Sequence, residues 1–229
     1  MNKPLCLSLL SAGLDTMGIS LTEQQQQQLM RYLESLHKWN QAYNLSAIRQ
    51  PETMVTRHLL DSLSLVPYIE LFISEYSLSL QEKQITLIDV GTGGGLPGMP
   101  LAIAFPNIPV TLLDSNGKKT RFLFQTAHKL GLKNVKVENN RVEKFSPEHK
   151  FAIVTSRAFA SLQDMVIASH HLLDEQGQYW AMKGIYPHKE LEQCKQHADL
   201  LHSHVLSVPG ETGERHLLVL KNTAKQTTG

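Results

Sequence analysis

Cysteine is scarce in this sequence, and no set of residues has the spacing of a metal site. The only two cysteines, Cys6 and Cys194, lie far apart in the chain. A disulfide framework is typical of small secreted domains with many cysteines, so this pair predicts two free thiols in a reducing, cytoplasmic environment. The histidines also lack the short spacing of zinc ligands. We therefore expect no metal.

Long apolar runs are also missing. A helix that spans a bilayer needs about 20 consecutive apolar residues, and no segment of the chain approaches that length. Residues 1–7 carry one lysine and some leucines, as a signal peptide does, but Ser8, Ser11 and Asp15 interrupt the stretch and no cleavage site follows. We predict neither a signal peptide nor a membrane partner.

A surplus of charge of either sign is absent as well. The chain has 22 Lys and Arg against 21 Asp and Glu, a net charge of +1, so its overall charge does not indicate a nucleic-acid-binding protein. Basic residues do cluster along one stretch, namely Lys118, Lys119, Arg121, Lys129, Lys133 and Lys136. Such a cluster either contacts phosphates or forms a solvated face, and the sequence leaves both interpretations open.

The hydrophobic pattern changes character near residue 84. Before it, Thr22 is a good N-cap for a helix, and apolar residues then recur at three- and four-residue spacing, namely Leu29, Tyr32, Leu33, Leu36 and Trp39. The glutamine run 24–28 is expected on the solvated side of this helix. A second helical pattern extends from Pro51 to near Pro67. Residues 1–83 are therefore predicted to form a helical extension that packs on the core.

After residue 84, predicted strands alternate with predicted helices. The strands are 85–90, 110–114, 135–138, 152–155, 177–182, 204–208 and 215–220, and the helices are 96–105, 118–130, 162–173 and 187–199. This alternation predicts a doubly wound α/β fold with a mostly parallel sheet. The short turn between the last two strands predicts an antiparallel hairpin. We assign 84–222 to this domain and 223–229 to a frayed tail.

The segment 89–98, Asp-Val-Gly-Thr-Gly-Gly-Gly-Leu-Pro-Gly, follows a predicted strand and precedes a predicted helix. Its glycines at 93, 95 and 98 match the dinucleotide fingerprint. The fit to Asp-x-Gly-x-Gly-x-Gly, with Asp89 and Gly91, is better. A carboxylate at Asp89 would repel a pyrophosphate, but it can organise the loop and meet the cationic amino acid end of S-adenosylmethionine. Leu96 and Pro97 at the helix start also leave fewer N–H groups for an anion.

The loop therefore favours S-adenosylmethionine as its ligand. A dinucleotide, or a glycine-rich turn that binds nothing, remains open at this point. Asp114 ends the next predicted strand, where an acidic residue can accept hydrogen bonds from ribose hydroxyls. It supports an adenosine ligand without choosing between the two cofactors. Its alternative role is that of a helix N-cap or a loop carboxylate.

Seven motif blocks occur in one order and cover nearly the whole chain: His37-Lys38-Trp39-Asn40-x-x-Tyr43-Asn44-Leu45, Arg57-His58-x-x-Asp61-Ser62, the loop 89–98, Leu112-Leu113-Asp114-Ser115-x-Gly117-Lys118, Ser156 to Leu162, Lys183-Gly184 and Gly213-Glu214-Arg215-His216-Leu217. With these blocks the sequence resembles a known family, the bacterial GidB/RsmG proteins, which methylate a guanine N7 of small-subunit ribosomal RNA. One departure is Gly94, where proline is usual in the family.

The resemblance implies a Rossmann-like class I S-adenosylmethionine-dependent methyltransferase fold with a seven-stranded sheet, and it implies roles for individual residues. The implied cofactor contacts are Asp89, Gly91, Gly93, Leu96, Asp114, Val142, Glu143 and Arg157. The implied residues for activity on RNA are Arg141 and Arg215. Lys118, Lys119 and Lys183 join Arg215 as candidate RNA contacts. His37, Asn44, His58 and Asp61 match the family's blocks without an assigned role.

Methylation of guanine N7 needs no proton to be removed, because N7 is an unprotonated lone pair. Positioning of nucleophile and methyl group can then supply most of the catalysis, about 7–11 kcal/mol, and the absence of an evident catalytic dyad is expected. Arginine suits the purine edge and phosphates because its planar fork holds several donors. Trp39 and Tyr43 either stack on a base or belong to the core.

The expected partner is 16S ribosomal RNA or the small subunit, bound by a monomer. With a near-neutral chain we expect weak binding to naked RNA. Three other classes remain: a methyltransferase for a small molecule or protein, a nicotinamide-binding module, and a non-catalytic ribosome-binding factor.

Overall fold

The computed structural model describes residues 1–79, 84–157, 159 and 161–223, and it contains a seven-stranded sheet flanked by helices. The strands are β1 (Leu87–Val90), β2 (Val110–Asp114), β3 (Val135–Asn139), β4 (Phe151–Ser156), β5 (Leu173–Lys183), β6 (Ala198–Val205) and β7 (His216–Asn222). Their order is β3-β2-β1-β4-β5-β7-β6. Strands β1 to β5 pair in parallel, and β7 pairs antiparallel with both β5 and β6. The predicted fold class and C-terminal hairpin are confirmed.

Helices cover the N-terminal third of the chain. They are α1 (Lys3–Met17), α2 (Glu23–Tyr43), α3 (Pro51–Met54), a π-helical segment (Val55–Leu60), α4 (Asp61–Leu63) and α5 (Val66–Ser79). The sequence analysis missed α1 and α5, because their apolar residues do not follow one clear stripe. Cys6, Leu10 and Leu14 nevertheless bury one side of α1 in the core.

The later helices alternate with the strands, as predicted. They are α6 (Gly98–Ala104), α7 (Gly117–Leu130), α8 (Leu162–Ser169) and α9 (His188–Cys194). Helix α7 ends at Gly131, whose backbone adopts the left-handed conformation that a residue without a Cβ allows. Several predicted bounds were wrong. The α-helix α8 ends at Ser169 and not at 173, and β5 begins at Leu173 and not at 177. Helix α9 ends at Cys194 and not near 199, so β6 occupies Ala198–Val205 and not 204–208. The β6 residues 199–203 are exposed, and an edge strand without a buried face carries little hydrophobic pattern.

The two faces of the sheet pack against different helices. One face, with Leu87, Leu112 and Trp180, shares a hydrophobic core with the N-terminal helices, α6 and α7. The other face, with Ile88 and Val154, packs against α8 and α9. Cys6 lies in the first core and Cys194 in the second, and both are free thiols. The N-terminal helices thus complete one layer of the fold.

The division of the chain at 83 and 223 stays a prediction. Residues 80–83, at the first boundary, and 224–229, nearly all of the predicted tail, lie outside the described residues. Thr223 itself donates its N–H to the carbonyl of His197 at 3.3 Å. In the described parts of the chain, no helix combines the length and apolar character needed to cross a bilayer.

The glutamine run is not simply a solvated face of α2. Thr22 and Gln25 form a capping box, as the N-cap prediction implied. The amide of Gln25 also donates to the carbonyls of Ile103 and Ala104, both at 2.9 Å, at the end of α6. Gln28 donates to the carbonyl of Leu130 at 2.9 Å. These carbonyls lie in the last turns of their helices, where no N–H of the same helix can bond to them. The two glutamine side chains supply the missing hydrogen-bond donors.

We predict that Gln25→Ala lowers the free energy of unfolding by about 1–2 kcal/mol, because it removes half of the capping box and the donor to two helix-end carbonyls. Gln24→Ala, one residue earlier on the exposed side of α2, is the control and should change it by less than about 0.5 kcal/mol. Urea unfolding followed by circular dichroism measures both. Equal midpoints for the two variants would contradict the role assigned to Gln25.

Candidate active site

The glycine loop 91–97 connects β1 to α6 and turns sharply at three glycines. Gly91, Gly93 and Gly95 have φ of 68°, 60° and 96°, a left-handed region that other residues rarely adopt. Asp89, near the end of β1, holds this turn in place through hydrogen bonds. Its Oδ2 accepts the hydroxyl of Thr92 at 2.6 Å and the N–H of Gly98 at 2.8 Å.

Asp89 has no exposed surface. Burial raises the pKa of its carboxyl to about 7, although the hydrogen bonds from Thr92 and Gly98 act in the opposite direction. Its Oδ1 has no hydrogen-bond partner among the described residues. Asp89 thus organises the loop, as predicted, and its direct contact with a ligand stays a prediction. Leu96 is buried in the core and is absent from the lining of the two cavities described below.

Most N–H groups of the glycine loop are already engaged within the protein. The carbonyl of Leu113 accepts the N–H of Gly91 at 2.9 Å and of Thr92 at 3.1 Å, and the carbonyl of Thr92 accepts those of Gly95 and Leu96 at 2.9 and 3.0 Å. A pyrophosphate cradle needs such groups free and pointing at the ligand. The loop is therefore a poor cradle for the pyrophosphate of a nicotinamide dinucleotide.

A cleft of about 430 Å³ opens beside this loop at the carboxyl ends of β1 and β2. We call it the glycine-loop cleft. Its lining residues are Val90, Gly91, Leu113, Asp114, Ser115, Lys119, Asn140, Arg141, Val142, Glu143 and Phe159. The structure thus brings together Gly91, Asp114, Val142 and Glu143, which the sequence analysis named as cofactor contacts. It also places Arg141 and Lys119, candidate residues for RNA, in the same cleft.

Asp114 is the acidic residue of the glycine-loop cleft. One carboxylate oxygen accepts the N–H of Gly93 at 2.9 Å, and the other accepts that of Asn116 at 2.8 Å. The Nζ of Lys119 lies 3.7 Å away. The alternative role of Asp114 as a helix N-cap is wrong, because the side chain of Asn116 caps α7. Each oxygen of Asp114 keeps a lone pair for a further donor.

A second cavity, of about 390 Å³, lies at the carboxyl ends of β4 and β5, and we call it the arginine pocket. Its lining includes Ile48, Arg57, His58, Asp61, Arg157, Lys183, Arg215 and His216. Asp61 is 5% exposed and pairs with two guanidinium groups, Nη1 of Arg157 at 2.6 Å and Nε of Arg215 at 3.1 Å. The arginines therefore come from separate strand ends and meet on one carboxylate.

Glu211 extends this ion network. Its Oε2 lies 2.8 Å from Nε of Arg57 and 3.2 Å from Nη2 of Arg215. Burial raises the pKa of Asp61, while Arg157 and Arg215 oppose the shift. Burial acts the same way on Glu211, but the N–H of Gly213 and the two arginines hold its pKa below the usual value. Three guanidinium groups thus face two carboxylates, which leaves the network one positive charge in excess.

His58 borders the network as a neutral group. Burial and the neighbouring Arg157 lower its pKa to about 4. Its Nε2 lies 2.7 Å from the hydroxyl of Ser46. Lys183 lines the same pocket and is neutralised by Glu190, whose Oε2 lies 2.8 Å from Nζ. The pocket's surplus charge therefore comes from its arginines.

The predicted arginines divide between the two cavities. Arg157, a predicted cofactor contact, lines the arginine pocket and not the glycine-loop cleft. Arg141 lines the glycine-loop cleft and Arg215 the arginine pocket, and the roles predicted for all three stay predictions. Lys118 lines neither cavity, and its Nζ lies 6.0 Å from the ring centroid of Tyr43.

Three residues of the ion network in and around the arginine pocket had no predicted role, namely Arg57, Asp61 and Glu211. Arg57 and Asp61 are four residues apart on one helical stretch, and this spacing was the available signal that both face one site. Glu211 lies in a turn without any periodic pattern. Within the described ranges no three His, Cys, Asp or Glu side chains group as metal ligands.

Comparison with solved structures defines the class of the fold. The chain superposes on the crystal structure of TrmN from Thermus thermophilus with a TM-score of 0.52, at 17% identity, over 74% of this chain and 53% of that one. The glycopeptide N-methyltransferase MtfA in complex with sinefungin gives 0.53 at 8% identity, over 66% and 85%. The fold is that of the class I S-adenosylmethionine-dependent methyltransferases.

Sequence comparison is more specific. A family model described as GidB, rRNA small subunit methyltransferase G, matches residues 25–218. Ribosomal RNA small subunit methyltransferase G of Hahella chejuensis is 47% identical over 92% of this chain and 91% of its own. The protein of that name from Pseudomonas aeruginosa strain LESB58 is 48% identical over 94% and 95%. The chain belongs to the GidB family, as its sequence motifs indicated.

The buried carboxyl of Asp89 predicts a pH dependence of stability. Its pKa is raised in the folded protein to about 7, from the ordinary value of about 3.9 for an aspartate. Its protonation therefore stabilises the folded state below pH 4, and this contribution is lost as the pH rises through 7. Asp89→Asn removes the titration but keeps the shape of the side chain.

The quantity of interest is the unfolding free energy of the wild type minus that of Asp89→Asn. We expect this difference to be larger at pH 5 than at pH 8 by more than about 1 kcal/mol. Urea unfolding at both pH values measures it. Other titrating groups are common to both proteins and cancel. A difference independent of pH would show that Asp89 is ionised throughout.

Proposed function

We propose that this chain is a methyltransferase that moves a methyl group from S-adenosylmethionine to N7 of a guanine in 16S ribosomal RNA. The observation that carries the proposal is the pairing of two cavities at one edge of the sheet. The glycine-loop cleft offers a carboxylate but no phosphate cradle, and the arginine pocket beside it has a positive surplus.

The residues of the glycine-loop cleft fit an adenosine without phosphates. Asp114 presents a carboxylate with free lone pairs, as ribose hydroxyls require. Gly91 lines the cleft without a Cβ, and Val142 and Glu143 offer an apolar and a polar contact to a purine ring. When S-adenosylmethionine is bound, its sulfonium supplies the methyl group.

The two cavities share a wall. Nζ of Lys183, which lines the arginine pocket, donates to the carbonyl of Phe159, which lines the glycine-loop cleft, at 3.4 Å. Arg157 directly follows β4, which pairs with β1 at Asp89. A base held in the arginine pocket therefore lies next to a ligand held in the glycine-loop cleft.

The arginine pocket suits a guanine or the phosphates beside it. Guanidinium groups donate to the guanine O6 edge and to phosphate oxygens, and Asp61 fixes the direction of two of them. N7 carries a lone pair and no proton, so the residues have only to hold the base in line with the methyl group, and orientation supplies about 7–11 kcal/mol. His58 stays neutral beside the arginines and adds no charge.

The relatives named as methyltransferases of the small-subunit ribosomal RNA support this choice of substrate over a small molecule or a protein. We place the reaction in the cytoplasm, where ribosomal subunits assemble. Both cavities are built from one chain, so we propose that a monomer acts. Arg141, at the rim of the glycine-loop cleft, is the residue that meets the RNA as its base enters.

The direct test uses purified protein, radiolabelled S-adenosylmethionine and small subunits from cells that lack this protein. We expect the label in 16S RNA as 7-methylguanine, mapped by mass spectrometry of the digested RNA. Arg215→Ala should bind the cofactor normally but lose about 10- to 100-fold in kcat/KM, the effect of one charge-assisted hydrogen bond. Arg215→Lys should recover only part. No label with the wild type would overturn the proposal and favour a non-catalytic ribosome-binding factor.

The second test concerns the glycine-loop cleft. Gly91→Trp should abolish S-adenosylmethionine binding in calorimetry, because an indole fills the cleft. Gly91→Ala, which carries the same cost of positive φ but little bulk, should weaken binding less. Titration with NAD should give no heat with any of the three proteins. Unchanged affinity of Gly91→Trp for S-adenosylmethionine would refute this placement of the cofactor.

A further inference from the structure

The exposed face of α7 combines cations with an aromatic ring, outside both cavities. Lys118, Arg121 and Phe124 lie at three-residue spacing on this face, and Phe124 is 65% exposed. Three-residue spacing places side chains next to one another on a helix. Phe124 therefore exposes a large apolar ring beside the guanidinium-bearing Arg121 on the same face of α7.

The C-terminal half of α2 packs beside α7 and adds to the same surface. Lys38 and Trp39 line a groove of about 280 Å³ together with Gln125 and Lys129 of α7. Tyr43, at the end of α2, is 46% exposed. We call this area, formed by Lys38, Trp39, Tyr43, Lys118, Arg121, Phe124 and Lys129, the α2–α7 surface.

The charge of the α2–α7 surface is strongly one-sided, unlike that of the whole chain. Four of its residues are Lys or Arg, and the one carboxylate lining its groove is Glu34. Glu34 lies 2.7 Å from Nζ of Lys3. The positive charge of the surface is therefore largely uncompensated.

Two of the three aromatic rings of this surface, Trp39 and Tyr43, are held in place by ring contacts. The ring centroids of Trp39 and Phe122 lie 5.5 Å apart, and Phe122 is fully buried. Tyr43 packs on Trp39 at 5.0 Å, and Nζ of Lys118 lies 6.0 Å from the Tyr43 ring centroid. Rings fixed in this way lose little entropy when a flat partner stacks on them.

The segment 44–48 connects the α2–α7 surface to the arginine pocket. It leaves α2 at Tyr43 and passes the glycine loop, where the carbonyl of Leu45 lies against Gly94. The hydroxyl of Ser46 then lies 2.7 Å from Nε2 of His58, and Ile48 lines the arginine pocket. A strand whose base enters the arginine pocket can therefore continue over this segment onto α2 and α7.

We propose that the α2–α7 surface binds the RNA strand that flanks the target guanine, with bases stacked on its aromatic rings and phosphates on its cations. This inference rests on the proposed function. RNA fits better than a protein partner, because interleaved cations and aromatic rings are how proteins hold unpaired nucleotides. The surface then supplies most of the affinity, and the arginine pocket selects the base.

The test compares two surface variants with two controls. Phe124→Ala should raise the KM for small subunits at least about fivefold, the effect of losing one stacked base. Arg121→Ala should raise the KM and lower the salt dependence of RNA binding by about 0.7 in the slope of log K against log salt. The controls are Ile167→Ala on α8, which removes another exposed apolar group, and Lys195→Ala after α9, which removes one positive charge that is paired with Glu192. Neither should change the KM or the salt dependence. All four should keep the wild-type affinity for S-adenosylmethionine.

Several results would overturn the proposal. One is that the surface variants behave as the controls do while the wild type methylates the RNA, which leaves the proposed function intact. Another is that Phe124→Ala loses affinity for intact subunits but not for protein-free 16S RNA, which would assign the surface to a ribosomal protein. A third is that the wild type is a dimer in sedimentation and Phe124→Ala is not. Absence of methylation by the wild type instead rejects the proposed function itself.

Discussion

Two buried carboxylates, Asp89 and Asp61, hold the rest of the site in shape. Asp89 uses one oxygen to gather the hydroxyl of Thr92 and the N–H of Gly98, and so ties the glycine loop to the end of β1. A charged group without exposed surface is costly unless it is bonded, which is why its pKa rises. The benefit is a loop whose N–H groups turn inward and leave the cleft to a ligand without phosphates.

Asp61 holds the arginines in place as Asp89 holds the glycine loop. Removing one partner of a buried ion pair typically costs about 3–5 kcal/mol, so Arg157 and Arg215 are held firmly in the directions that Asp61 sets. Because Asp61 belongs to α4, the N-terminal helices supply part of the arginine pocket and are not only a cover for the sheet. This explains why the motif around Arg57 and Asp61 lies so far from the glycine loop in sequence.

Contacts along the chain link the two cavities to the α2–α7 surface. The glycine-loop cleft lies at β1 and β2, the arginine pocket at β4 and β5, and the segment 44–48 passes the glycine loop at Gly94 on its way from α2 to the arginine pocket. Strand order reverses between β1 and β4, the position at which open α/β sheets form a crevice for ligands. A chain with a net charge of +1 can thus concentrate positive charge locally, at the arginine pocket and at the α2–α7 groove.

The sequence by itself determined the alternation of strands and helices, the glycine loop and the family, since each depends on residues close together in the chain. The resemblance to the family named Gly91, Val142 and Glu143, and the strand-end position named Asp114; the structure brings these four into one cleft, because strand ends of a parallel sheet meet at one edge. The sequence did not reveal α1, α5 or the bounds of β6, whose patterns are weak. Only the tertiary structure decided that Arg157 joins Arg215 on Asp61 while Arg141 stays in the other cavity. Such meetings depend on how distant segments pack, and no local pattern of residues records the direction in which a long side chain finally points.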